Sequence, residues 1–432
     1  KYLHKSNEKK IKGLYNDIHE TFLSKYELQN RFSSIFLDGR YNCVSVSALY
    51  GIIFDELNIP YSIKEKPTHI YLMAFPKTDQ LIVEATDPSG NFLSHNDRFK
   101  STVVGQLKDA KLISEEEYRD KTIDEIFNDF YYSDKNIDLR QLAGIQYLND
   151  ALYKLEDGLE KEAYEQLKKS YFLYPKENVA SMLVYLNVQL LNELKYEHED
   201  AMRYLAELSK LAGNGLTQEN IVSEFDRMTH LILTEKIDTA TYRKYHTSFL
   251  NLSDNEALNL EINYVYHIRR GIAHYTLGEY EMAIKYTGEA YQLKPENLEV
   301  TRTFMGMISD QIASQGNNEE ILKLLSNYQN KYPEIANNIL FKTLLANAYV
   351  VEFGQSYDFG EIQNAEKYKL LFENIYSDRL KVNHNNLGRA YSMAAVHYFK
   401  NGQKSKARAI INRGLQYSPG NYELMTRKRM IR

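Results

Sequence analysis

The chain has no tryptophan, a single cysteine and only eight prolines in 432 residues. One cysteine excludes an internal disulfide, so the fold must hold through its core, and the redox compartment stays open. No apolar run approaches the roughly 18 residues that a membrane-spanning helix needs. A formal charge of −5 argues against nucleic acid as a partner. The one basic cluster, Arg427-Lys428-Arg429, reads as the solvated face of a last helix. There is no HExxH motif and no Gly-Lys pair, and the 11 histidines are scattered, so no metal and no cofactor are expected. What remains, at 43% hydrophobic and 26% charged residues, is an ordinary soluble protein. Starting at Lys1 rather than methionine suits a mature, extracytoplasmic chain after signal removal, or equally a trimmed fragment.

The lone cysteine sits in Gly39-Arg40-Tyr41-Asn42-Cys43-Val44-Ser45. Ala48, Leu49, Ile52, Ile53 and Leu57 follow at three- and four-residue intervals, and Pro60 closes the segment. That spacing predicts a helix with Cys43 in its first turn. There the unpaired N–H groups and the positive end of the helix dipole favour thiolate and can donate to an oxyanion. A cysteine can also be merely a small buried hydrophobe. The neighbours argue otherwise, because His69 and a carboxylate follow, and cysteine, histidine and acid together are the set for thiol-based acyl chemistry.

Residues 68–75 and 81–87 both read as strands, with Pro76-Lys77-Thr78-Asp79-Gln80 as the turn between them. A loop centred on Thr78 sets Phe75 opposite Leu81, Met73 opposite Val83, Tyr71 opposite Ala85 and His69 opposite Asp87. Opposed residues share a face with Cβ atoms about 5 Å apart, close enough for an imidazole–carboxylate hydrogen bond. Glu84 then points to the other face and is the weaker choice.

On Cys43 at a helix start, His69 opening a strand and Asp87-Pro88 ending the next, residues 15–100 resemble the transglutaminase-like, papain-related superfamily. The resemblance implies a Cys43 nucleophile, a His69 base and an Asp87 orienter. Asn42 and Tyr41 are candidates to support the oxyanion, and Tyr71 to line the site.

Beyond residue 140 the pattern changes. Gly158, Ala163 and Pro175 are separated by five and twelve residues, and so are Gly278, Ala283 and Pro295, and Gly402, Ala407 and Pro419. Gly316, Ile321 and Pro333 repeat the spacing, and Gly360 with Ala365 repeats it without the proline. These copies resemble tetratricopeptide repeats, with glycine at the turn, a small residue at the helix crossing and proline past the second helix. The expected architecture is an α+β domain over 1–125 and an all-α repeat solenoid over 126–432, joined between 112 and 140 at polar turns marked by Glu115-Glu116-Glu117 and Asp134-Lys135-Asn136. The expected function is thiol acyl transfer or amide hydrolysis on a protein or peptide held by the solenoid's concave face. The alternative is an inert domain in a protein-interaction scaffold.

Overall fold

The computed structural model describes residues 4–66, 69–86, 101, 104–105, 108, 113–123, 125–126, 136–213 and 216–431. The chain divides into two compact units, 1–218 and 219–432. Leu142 and Ile145, of the helix that begins at Leu139, and Tyr174, just past the next helix, lie in the same core as the N-terminal helices and sheet.

The first unit opens with helix α1 (Asn7–Phe22), strand β1 (Lys25–Tyr26), a short helix α2 (Ser34–Leu37), strand β2 (Arg40–Tyr41) and helix α3 (Cys43–Glu56). Strands β1 and β2 pair in parallel, Tyr26 with Tyr41. Gly39 allows this approach: at φ +71° it packs where a Cβ would meet Ser24 Oγ at 2.2 Å. Strands β3 (Tyr61–Glu65), β4 (Ile70–Ala74), β5 (Leu81–Val83) and β6 (Asn136–Ile137) form a sheet in the order β5-β4-β3-β6, with antiparallel pairs throughout. Helix α3 packs on this sheet through Val46, Leu49, Tyr50 and Phe54, all buried. Of the residues that set the spacing, Leu49 is buried and Ala48 and Ile53 pack against the core, whereas Ile52 and Leu57 are exposed.

Two expectations need correction. The β4–β5 register pairs Leu72 with Val83, Met73 with Ile82 and Ala74 with Leu81, one residue off the predicted pairing. Phe75 and Gln80 both adopt left-handed φ, +51° and +48°, and Gln80 N–H returns to the Phe75 carbonyl. The connection therefore takes Phe75 out of the strand and flips the parity of everything beyond it. Glu115-Glu116-Glu117 is not a turn but the first turn of helix α4 (Glu115–Asp120), capped by Ser114, with which Glu117 forms a capping box. Asp134 and Lys135 lie outside the described residues, and Asn136 begins β6.

From Leu139 onward every described element is helical. In the first unit α5 (Leu139–Glu156) pairs with α6 (Glu160–Leu173), followed by α7 (Glu177–Leu194) and α8 (Asp200–Ser209). In the second, α9 (Gln218–Thr229) runs into a π-helix (His230–Glu235) and α10 (Thr239–Leu252). Then come α11 (Glu256–Thr276), α12 (Tyr280–Leu293), α13 (Leu298–Ala313), α14 (Asn318–Lys331), a 3-10 turn (Pro333–Asn337), α15 (Ile339–Asp358), α16 (Ile362–Ile375), α17 (His384–Lys400), α18 (Lys404–Tyr417) and α19 (Tyr422–Met430). Gly158, Gly278, Gly360 and Gly402 sit between paired helices with φ from +72° to +77°, and Ala163, Ala283, Ala365 and Ala407 are fully buried. Gly360 and Ala365 thus share the geometry, whereas Gly316 is not left-handed. There Asn317 starts the second helix instead, its side chain accepting from Glu319 N–H.

The α11–α12 crossing is tight. A Cβ on Gly271 would lie 2.1 Å from Thr287 Oγ1, 3.0 Å from Thr287 N and 3.2 Å from the Ala283 carbonyl. Because two of those contacts are backbone, Gly271→Ala is expected to destabilise the chain by ~1–3 kcal/mol through overpacking. Denaturant unfolding checks this, and an unchanged midpoint would mean that the helices can separate at no cost.

Candidate functional site

Cys43 is the first residue of α3, delivered there by β2 and fixed by its neighbour Asn42. Asn42 Oδ1 accepts from Ser45 N–H at 2.9 Å, Ser45 Oγ accepts from Asn42 N–H at 2.9 Å, and Asn42 Nδ2 donates to the Leu28 carbonyl at 2.9 Å. The side chain is thus engaged at both ends, its oxygen capping α3 and its nitrogen held by Leu28. The N–H groups of Cys43 and Val44 occupy the first turn, where the helix itself supplies no acceptor. The thiol is partly buried.

His69 stands at the entry to β4, where its carbonyl accepts from Lys66 N–H across the β3–β4 turn. Its Nε2 meets Glu84 Oε2 at 2.6 Å, and Cys43 is the other side chain that acts on the imidazole. Burial pulls the ring toward its neutral form. The influence of Cys43 and Glu84 outweighs it and pushes the ring up to about 10. Glu84 is itself held. Its Oε1 accepts from Thr86 Oγ1 at 2.6 Å and from Thr86 N–H at 3.3 Å, and its backbone carbonyl accepts from Tyr15 Oη at 3.4 Å.

The register explains why Glu84 is the partner. Continuing the observed pairing sets Glu84 opposite Tyr71, on the face that His69 and Tyr71 share two residues apart. Tyr71 is buried and its ring lies nearly parallel to the imidazole, 17° between planes with centroids 6.3 Å apart. Asp87 lies outside the described residues.

Tyrosines surround the thiol. Tyr41 is buried, edge-on to Tyr26 at 5.8 Å, so its ring packs the wall of the site. The Tyr26 hydroxyl is pushed up to about 12, first by burial and then by the charges of Cys43, Tyr153, Glu84 and Tyr41. Tyr153 reaches over from α5 and donates to the Leu28 carbonyl at 3.0 Å. Sequence reading passed over Tyr26 and Tyr153, because only the fold brings residues this far apart together. A cavity of about 620 Å³ borders α3 at Val44, Ser45, Ala48 and Ile52 and α5 at Leu142 and Tyr147, without including Cys43 or His69. Among the described residues no group of His, Cys, Asp and Glu is placed to hold a metal ion, and no helix is long and apolar enough to cross a membrane.

In the second unit, residues 264–297, which span most of α11 and all of α12, match the family model of the tetratricopeptide repeat. Residues 264–297 form a tetratricopeptide repeat. In the matched repeat Gly271, Ala283 and Pro295 fall on the glycine, alanine and proline of the family pattern. His267, Arg270 and His274 stand where that pattern has tryptophan, leucine and tyrosine. Among solved structures the chain is similar to the TPR domain of P58(IPK), at 14% identity over 77% of this chain and 87% of that one, with a TM-score of 0.22. It is also similar to Naa15/Naa10 bound to HypK-THB, at 15% identity over 67% and 50%, with a TM-score of 0.18. A search of curated proteins found no match.

Proposed function

We propose that Cys43 is the nucleophile of a transglutaminase-like thiol acyl-transfer or amide-hydrolysis centre, acting on a protein or peptide recruited by the concave face of the repeats. One observation carries this reading: the His69 imidazole is hydrogen-bonded to the Glu84 carboxylate at 2.6 Å and stands near enough to the Cys43 thiol to be raised by it. In the first step the Cys43 sulfur attacks the substrate carbonyl carbon, and the C–N or C–O bond breaks as His69 passes a proton to the leaving amine or alcohol. Water or an amine then attacks the thioester carbonyl and the thiol is restored. Glu84 keeps the imidazole in one orientation, the role first assigned to Asp87. The first-turn N–H groups of α3 face the developing oxyanion. The tetratricopeptide repeats support a second reading as well, an interaction scaffold whose Cys43 domain is inert.

Intact-mass spectrometry separates the two. Wild-type chain incubated with peptide ester and amide donors should gain an acyl group that Cys43→Ala does not. No adduct from any donor, at any pH between 6 and about 9, leaves the scaffold reading standing.

A further inference from the structure

In the matched repeat the leucine position is filled by Arg270, and this arginine is 9% exposed. A guanidinium has five N–H donors. Among the described residues Arg270 makes one hydrogen bond, from Nη1 to Tyr266 Oη at 2.7 Å, and its Nε is buried with no acceptor. No carboxylate of the described residues pairs with it. The guanidinium carbon lies 4.1 Å from the centre of the Tyr286 ring, so an aromatic face supports the charge without neutralising it. A buried cation in this condition calls for a counter-charge.

Arg270 lines a cavity of about 470 Å³ between α9, the π-helix and α11, within the size range of small-ligand sites. The wall carries Arg227, Arg269 and Arg270 against a single acid, Asp226. Asp226 gives both oxygens to Arg269, at 2.6 Å each, and Arg227 is bonded to Glu224. The carboxylates at hand are therefore engaged elsewhere. Leu233, Ile237, Ile272 and Leu277 give the wall its apolar part, beside four threonines, His230 and His274.

We propose that this cavity binds an oxyanion carried on an apolar body, a carboxylate or a phosphate monoester, with Arg270 as its counter-ion. The site is independent of the Cys43 reading, since every residue it uses lies in the second unit. Guanidinium donors match the paired oxygens of either group, and the apolar part of the wall takes the body that bears them.

Isothermal titration of the full chain at fixed ionic strength tests this, with acetate, inorganic phosphate, hexanoate and hexyl phosphate as probes. One or both hexyl-bearing anions should bind, and bind more tightly than acetate or inorganic phosphate; which of the two is preferred tells carboxylate from phosphate. Arg270→Gln should weaken that binding by roughly tenfold or more. Ala273→Leu, which fills the cavity and keeps the charge, should do the same. If Arg270→Gln fails to fold by circular dichroism, Ala273→Leu decides alone. The proposal is overturned if no probe binds wild type below about 10 mM, or if the folded variants bind as wild type does.

Discussion

At pH 6.5, alkylation of Cys43 by iodoacetamide is expected to slow by roughly tenfold or more in His69→Ala. Cys43 and Glu84 push the imidazole up to about 10, so at pH 6.5 a cationic ring stands beside the sulfur, and thiolate is the species that alkylates. Removing the ring removes that neighbouring charge. The comparison should be made across pH. Cys43 is the chain's only cysteine, so label incorporation reads this one site. Equal rates in the two proteins at pH 6.5 would sink the acyl-transfer proposal and leave the thiol a structural residue.

The second large effect is expected from Glu84→Gln. Burial alone would hold His69 below its ordinary value, and Glu84 supplies part of what raises it. Without that carboxylate the ring should titrate lower, which carbon-labelled histidine NMR of the full chain would register. The stability change follows from the sign. A histidine raised from about 6.5 to about 10 contributes stability that is fully present below pH 6.5 and fades as pH climbs through 10. Wild type should therefore weaken between pH 7 and 10, and Glu84→Gln should show less of that slope. At pH 7 the variant should be less stable by roughly 2–4 kcal/mol. A His69 resonance that titrates identically in both proteins would rule out Glu84 as the partner.

The repeats and the surroundings of Cys43 were legible to different degrees, for physical reasons. Gly158, Gly278 and Gly402 stand where a helix hairpin needs a left-handed residue, and Ala163, Ala283 and Ala407 where helices cross. Both demands are local, so spacing exposes them. The Gly316 copy was over-read, because Asn317 makes the same turn by capping. The hairpin register hung on left-handed backbone at Phe75 and Gln80, residue types that do not advertise it. One residue of slip exchanged the faces and made Glu84, the weaker choice on paper, the acid that meets His69. Cys43 at a helix start was legible from the apolar spacing that follows it, and the capping box of Asn42 with Ser45 fixes that boundary in the structure. Tyr153 was not, since its place depends on α5 sharing a core with the N-terminal helices.

The Leu28 carbonyl accepts from both Asn42 Nδ2 and Tyr153 Oη. One oxygen thereby ties the cap of the thiol-bearing helix to the first helix of the repeats. Motion of α5 at Tyr153 is thus coupled to the cap of α3 through two hydrogen bonds to one main-chain oxygen, which a side-chain substitution at position 28 does not remove.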